Sequence, residues 1–125
     1  MSLKLSVFTP THDPRFLSDA YLSLIRQDHQ EWEWIIAPNC KEGQEPPKIP
    51  AVPAEIAHDP RIRVIPTTWR DRPKIGALKK FCCDNAKGDV LVELDHDDML
   101  VPGAMSEIVR CVSEGAGFVY SDTAV

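Results

Sequence analysis

Short apolar runs that stop abruptly alternate with stretches of helical periodicity along this chain, and that alternation restricts its fold more than any other feature. Residues 4–9 carry Leu5, Val7 and Phe8 and end at Pro10, the pattern of a short buried strand. Asp13 and Pro14 then precede Phe16, Leu17, Ala20, Tyr21, Leu24 and Ile25, a spacing that places apolar side chains on one helix face with Asp13 as its cap. Residues 33–37, 61–65, 89–94 and 118–120 read as four further strands. Between the third and fourth strands, Ile75, Leu78, Cys82 and Ala86 make a helical stripe ended by Gly88. After the fourth, Pro102 and Gly103 open a helix with Met105, Ile108, Val109 and Val112 facing inward.

Repeated strand–helix order predicts an α/β, Rossmann-like fold, a mostly parallel sheet with helices on both faces. Ligands bind such sheets at the carboxyl ends of the strands. The residues just after each strand are therefore the expected site: Thr9, Pro10, Thr11 and His12; Pro38 and Asn39; Thr67, Thr68 and Trp69; Asp95 to Asp98; Ser121 and Asp122. Residues 38–60 interrupt the pattern, because Pro46, Pro47, Pro50 and Pro53 exclude a continuous helix or a central strand and predict an inserted surface loop. A length of 125 residues, 43% of them hydrophobic, suits a single domain spanning residues 1–125. No apolar run approaches the roughly 20 residues of a membrane span and the N-terminus lacks a signal-peptide pattern, so the expected location is cytoplasmic. Cys40, Cys82, Cys83 and Cys111 show no paired CxxC spacing and are expected as reduced thiols on helix faces.

The net charge of −5 argues against a general nucleic-acid binder, but its distribution is uneven. Arg61, Arg63, Arg70, Arg72, Lys74, Lys79 and Lys80 face only Asp71 within their window, and Asp89, Glu93, Asp95, Asp97 and Asp98 follow closely. A basic stretch beside concentrated carboxylates suits a phosphorylated ligand held between cationic side chains and a carboxylate-bound divalent ion. The sharpest local signal is the apolar strand that delivers Asp95, Asp97 and Asp98 into the loop at its end. Crowded carboxylates repel one another unless a cation neutralises them, which points to Mg²⁺ or Mn²⁺ bridging protein and diphosphate. The competing reading is that Asp95 and Asp98 cap the loop and the next helix. An EF-hand is excluded, since counting from Asp95 puts Leu100 and Ser106 where a glycine and a glutamate are needed.

These motifs resemble the N-terminal part of family 2 glycosyltransferases of the GT-A fold. The resemblance is carried by Leu5-Ser6-Val7-Phe8-Thr9-Pro10-Thr11-His12, by Ile75-Gly76-Ala77-Leu78-Lys79-Lys80 with Asn85-Ala86-Lys87-Gly88-Asp89, and by Leu94-Asp95-His96-Asp97-Asp98, in that order and spacing. It implies transfer of a sugar from a nucleotide-diphosphate donor, a UDP-sugar by expectation, to a saccharide or other hydroxyl acceptor, with inversion and with Mn²⁺ or Mg²⁺ as cofactor. It also implies that residues 1–125 are the donor-binding part of a longer enzyme whose general base lies beyond Val125. By similarity, Asp97 is the principal metal ligand, Asp98 a support, and Asp95 a contact to ribose or metal. Thr9, Pro10, Thr11 and His96 border the nucleotide, Lys79 faces base or diphosphate, and Lys74 is a further cation for it. Asn39 stands where the family has an acid that pairs with uracil; its amide oxygen can accept the same bond without charge assistance. Two other readings remain. One is a domain that holds a nucleotide sugar without transferring it. The other is a Mg²⁺-dependent phosphotransfer domain, since Asp95-His96-Asp97 also resembles the nucleophile loop of haloacid-dehalogenase-like phosphatases, although that loop follows a first strand and three strands precede it here.

Overall fold

In the computed structural model, which describes residues 3–39, 51–67 and 74–119, the strands are β1 (Leu5–Thr11), β2 (Trp32–Pro38), β3 (Ile62–Val64) and β4 (Val90–Glu93). They run parallel in the order β3-β2-β1-β4. The helices are α1 (Leu17–Ile25), α2 (Ala54–Ala57), α3 (Ile75–Asp84) and α4 (Ala104–Ser113). The chain lays β2 and β3 outward on one side of β1, then returns to place β4 on the other. That reversal puts a switch point between β1 and β4, where the loops leaving adjacent strands diverge and open a crevice.

Alternation sorts the strand residues between two cores. Leu5, Val7, Trp32, Trp34, Ile36, Ile62, Val92 and Leu94 meet Leu17, Ala20 and Leu24 of α1, Ile56 of α2 and Met105 of α4 on one face. Phe8, Ile35 and Ala37 meet Leu78 and Cys82 of α3 on the other. The Rossmann-like architecture expected from the sequence is thus the one observed. Cys82 and Cys83 on α3 and Cys111 on α4 are free thiols, and burial pushes the Cys82 thiol up to about 11. Among the described residues no helix is long and apolar enough to cross a membrane.

Three expectations need correcting. Residues 118–119 form no strand, and Phe118 is 82% exposed; Tyr120 lies outside the described residues. The segment 38–60 is not wholly a surface loop, because β2 extends to Pro38 and α2 sinks Ile56 fully into the core; residues 40–50 lie outside the described residues. Asp13 caps not α1 itself but a 3-10 turn, Pro14–Phe16, accepting from Arg15 N–H before α1 begins.

A buried carboxylate in β2 sets where β4 starts. Glu33 Oε2 accepts from Ser6 Oγ and from Lys87 N–H, both at 2.6 Å, while Oε1 pairs with Arg63 Nη2 at 2.8 Å. Burial raises the Glu33 carboxyl, but the bonds from Ser6, Lys87 and Arg63 outweigh it and leave it lowered. Ser6 Oγ also accepts from Gly88 N–H at 2.8 Å. The turn from α3 into β4 therefore lies so close to β1 that a Cβ on Gly88 would sit 2.5 Å from Ser6 Oγ and 2.7 Å from Lys4 O. Gly88→Ala is expected to cost roughly 1–3 kcal/mol through overpacking against backbone, seen as a lowered midpoint in urea unfolding; an unchanged midpoint contradicts this account of the turn.

A second buried acid gives the fold its acid sensitivity. Asp59 accepts from Arg61 Nη2 and Nε, from Arg61 N–H and from Tyr21 OH, and Arg61 lies over the Trp32 ring at 3.8 Å. The Arg61 bonds, against the opposing effect of burial, hold Asp59 down to about 2 from an ordinary 3.8. A lowered folded-state pKa stabilises the fold above the unfolded-state value and is lost as pH falls through the folded one. Stability is thus expected to drop by about 2 kcal/mol between pH 4 and pH 2, and Asp59→Asn should flatten that part of a pH-dependent unfolding series.

Candidate functional site

At the switch point the chain exits β4 through Leu94 into a turn, closed by Asp98 N–H donating to Asp95 O at 3.1 Å. Side chains from β1 and α1 hold both ends of this segment. Thr9 Oγ1 donates to Leu94 O at 2.5 Å, and Thr11 Oγ1 lies 2.7 Å from His96 Nδ1. Downstream, Ser23 Oγ accepts from Leu100 N–H at 3.1 Å. Gln27, buried at the end of α1, donates to Val101 O and accepts from Met105 N–H, so it supplies the α4 entry with a partner that Gly103 cannot.

Between these anchors Asp95, Asp97 and Asp98 are all exposed. None of the three carboxylates makes a hydrogen bond or ion pair among the described residues. The capping alternative fails here, because α4 starts at Ala104 with Gly103 as its cap and no side-chain cap bond. Other acids have structural partners: Asp13 with Arg15, Glu33 with Arg63, Asp59 with Arg61, Glu107 with Arg110. Three exposed carboxylates with no hydrogen bond or ion pair among the described residues, in one turn at the carboxyl end of a parallel sheet, are chemically available to a ligand. Among the described residues no three His, Cys, Asp or Glu side chains converge into a ready-made metal cage. Mg²⁺ does not require one, since it keeps waters and takes one or two carboxylates with substrate phosphates, and Mn²⁺ shares its preference for oxygen donors. The all-oxygen donor set fits such an ion.

The remaining expected site residues fall into three groups. Around the turn, Pro10 is half-buried at the end of β1, Asn39 is buried with its N–H donating to Thr11 O at 2.8 Å, and Thr67 N–H donates to Pro38 O at 3.1 Å. The His12 and His96 rings meet with centroids 5.3 Å apart, inclined at 57°. Lys74 caps α3 and is exposed at the same edge. Lys79 reaches Glu93, the last residue of β4, and that ion pair, reinforced by Asp95, raises its ammonium pKa.

A second group belongs to the scaffold. Thr9 is fully buried, and its hydroxyl also accepts from Trp34 Nε1 at 2.8 Å. The hydroxyl of Thr11, 2% exposed, likewise faces His96, and His96 bonds to it and not to a neighbouring carboxylate. Alternation with Leu5 and Val7 on the buried face was the signal for both threonines. The basic window needs a similar correction. Arg61 and Arg63 are held by the buried carboxylates of Asp59 and Glu33, so these two cations serve the fold, while Lys80 makes an exposed pair with Asp84. Sequence reasoning missed Ser23, Gln27 and Glu93 as supports of the site. The third group, Thr68, Trp69, Arg70, Arg72, Ser121 and Asp122, lies outside the described residues.

Comparison with known proteins agrees with this fold. A crystal structure of S. aureus TarS superposes with a TM-score of 0.58 at 20% identity, covering 90% of this chain and 20% of that one. A structure of S. aureus TarS 1–349 in complex with UDP gives 0.59 at 20% identity, covering 90% of this chain and 32% of that one. The uncharacterised protein y4gI of Sinorhizobium fredii is 28% identical over 125 residues, which are 98% of this chain and 13% of y4gI. The chain therefore spans a third or less of the length of these relatives. Residues 6–124 match the family described as Glycosyl transferase family 2. With that match over nearly its whole length and a Rossmann-like sheet of the GT-A type, the chain belongs to glycosyl transferase family 2.

Proposed function

We propose that this chain forms the donor-binding part of a glycosyltransferase that uses a divalent metal and a UDP-sugar. The observation that carries the proposal is the turn Asp95–Asp98, whose three carboxylates are exposed and unpaired among the described residues while both of its ends are tied down. UDP is the preferred nucleotide because the similar TarS structure holds it. Asp97 and Asp98 are assigned to a Mn²⁺ or Mg²⁺ shared with the donor diphosphate, and Asp95 to the same ion or to the ribose. Pro10, His12 and Asn39 border the nucleotide from the ends of β1 and β2, with Lys74 and Lys79 as cations on the α3 side.

When bound, the metal supplies Lewis-acid stabilisation of the departing diphosphate. The chain's own contribution is to orient the donor and to keep fixed charges in place before it arrives. Inverting transfer also needs a base for the acceptor hydroxyl, a role separate from the donor contacts assigned to these residues.

A thermal-shift series with UDP, GDP and dTDP, each with and without Mn²⁺, tests the reading. Ligands that bind only the folded state stabilise it by mass action, about 2.7 kcal/mol at a hundredfold excess over Kd. The expected result is a shift with UDP that requires Mn²⁺. A shift of equal size without metal, or none with any nucleotide, contradicts it.

A further inference from the structure

Backbone pairing of β1 with β4 keeps one register, in which Leu5 faces Val90 and Phe8 faces Glu93. The ladder closes with Leu94 N–H donating to Phe8 O at 3.2 Å. Strand β1 runs on to Thr11, but β4 has ended. Two side chains then continue the pairing without a change of register. Thr9 Oγ1 to Leu94 O and Thr11 Oγ1 to His96 Nδ1 each join residues 85 positions apart, the separation of Leu5 from Val90. Both threonines are buried, and the Thr9 bond is fully shielded from water while the Thr11 bond is partly so. Asp13 N–H donates to Thr11 Oγ1 at 3.0 Å. That bond engages one lone pair of the hydroxyl and leaves its proton and its other lone pair for the contact with His96 Nδ1.

We infer that Thr9 and Thr11 form a hydroxyl ladder that carries β1–β4 pairing into the acidic turn, and that Thr11, acting through His96, is a positioning residue for the donor site. With Leu94 and His96 gripped, Asp95 between them is left exposed, and the part of the turn bearing Asp97 and Asp98 starts from a fixed point. Carboxylates ordered in advance bind an ion and a diphosphate without a further ordering cost. The inference rests on the donor-binding reading above and adds how that site is held.

Thr11→Val keeps the shape of the side chain and removes the hydroxyl, Thr11→Ser keeps the hydroxyl, and His96→Phe breaks the same bond from the other side. Two readouts are taken on the chain: hydrogen exchange of the Asp98 amide, whose bond to Asp95 O closes the turn, and affinity for UDP at saturating Mn²⁺. Thr11→Val and His96→Phe are expected to speed exchange and weaken binding about five- to tenfold. Their combination should do no more than either alone, and Thr11→Ser should behave as wild type. Wild-type exchange and affinity in both Thr11→Val and His96→Phe overturn the ladder while leaving the donor reading intact. A wild-type chain that binds no UDP with Mn²⁺ overturns the donor reading, and the positioning role with it.

Discussion

Asp97→Ala is expected to abolish the Mn²⁺-dependent part of UDP stabilisation and, in the polypeptide as its gene encodes it, to lower sugar transfer about 10²–10³-fold. The size follows from what the residue does for the fold, which is nothing measurable: its carboxylate is exposed and bonds to no described residue. Truncating it costs no packing, so the loss should appear in ligand binding and turnover while the unliganded melting temperature stays within about 2 °C of wild type, the scale of a small surface effect. Asp97→Asn separates charge from shape. It should retain little of the metal response, because a neutral amide is a poor ligand for a hard dication. A variant that melts early in the absence of ligand would mean that Asp97 has a structural role.

Glu33→Ala should show the opposite signature, with a large loss of stability and no direct effect on chemistry. Removing this carboxylate strips partners from the Ser6 hydroxyl, from Lys87 N–H and from the Arg63 guanidinium at once. Two of the three are backbone or short side-chain groups that cannot swing out to water. Arg63, 31% exposed, can recover part of its hydration. The expected cost is roughly 3–4 kcal/mol, enough to shift a urea midpoint by a molar unit or more at ordinary slopes of about 1–3 kcal/mol per molar. Because the turn into β4 hangs on this network, any fall in UDP affinity should track the unfolded fraction. A stable Glu33→Ala chain contradicts the network's role.

Much of the fold was legible in the sequence because period-2 and period-3.6 patterns are local. Leu5, Val7 and Phe8 announced β1, and Val92 and Leu94 announced β4, since a buried strand in a parallel sheet has few other ways to read. Residues 118–119 misled because so few apolar residues carry no period of their own. Ile56 was hidden by the prolines around it: the chain there is irregular, but one side chain still reaches the main core.

The site was legible to the extent that topology dictated it. Carboxyl ends of parallel strands gather residues from distant segments, and the turn after β4 was identifiable as acidic before its setting was known. What sequence could not resolve was which charges already have partners. Arg63 and Glu33 stand 30 positions apart and Arg61 and Gln30 stand 31 apart, so their pairing depends on strand order. The basic window accordingly looked like a ligand cradle, although Arg63 pairs with Glu33 across the sheet and Arg61 with Asp59 two residues away. Thr9 and Thr11 were placed at the right end of the right strand, but their alternation with Leu5 and Val7 turned their hydroxyls toward the β4 exit and away from the crevice.

The most direct measurement of the central claim is paramagnetic broadening of backbone amide signals by substoichiometric Mn²⁺ in the presence of UDP. The account predicts broadening centred on residues 95–98 and extending to His12 across the switch point, dependent on UDP and absent in Asp97→Ala. Broadening centred instead on Glu107 of α4 and Glu114 just after it, or spread evenly over the exposed carboxylates, would contradict it.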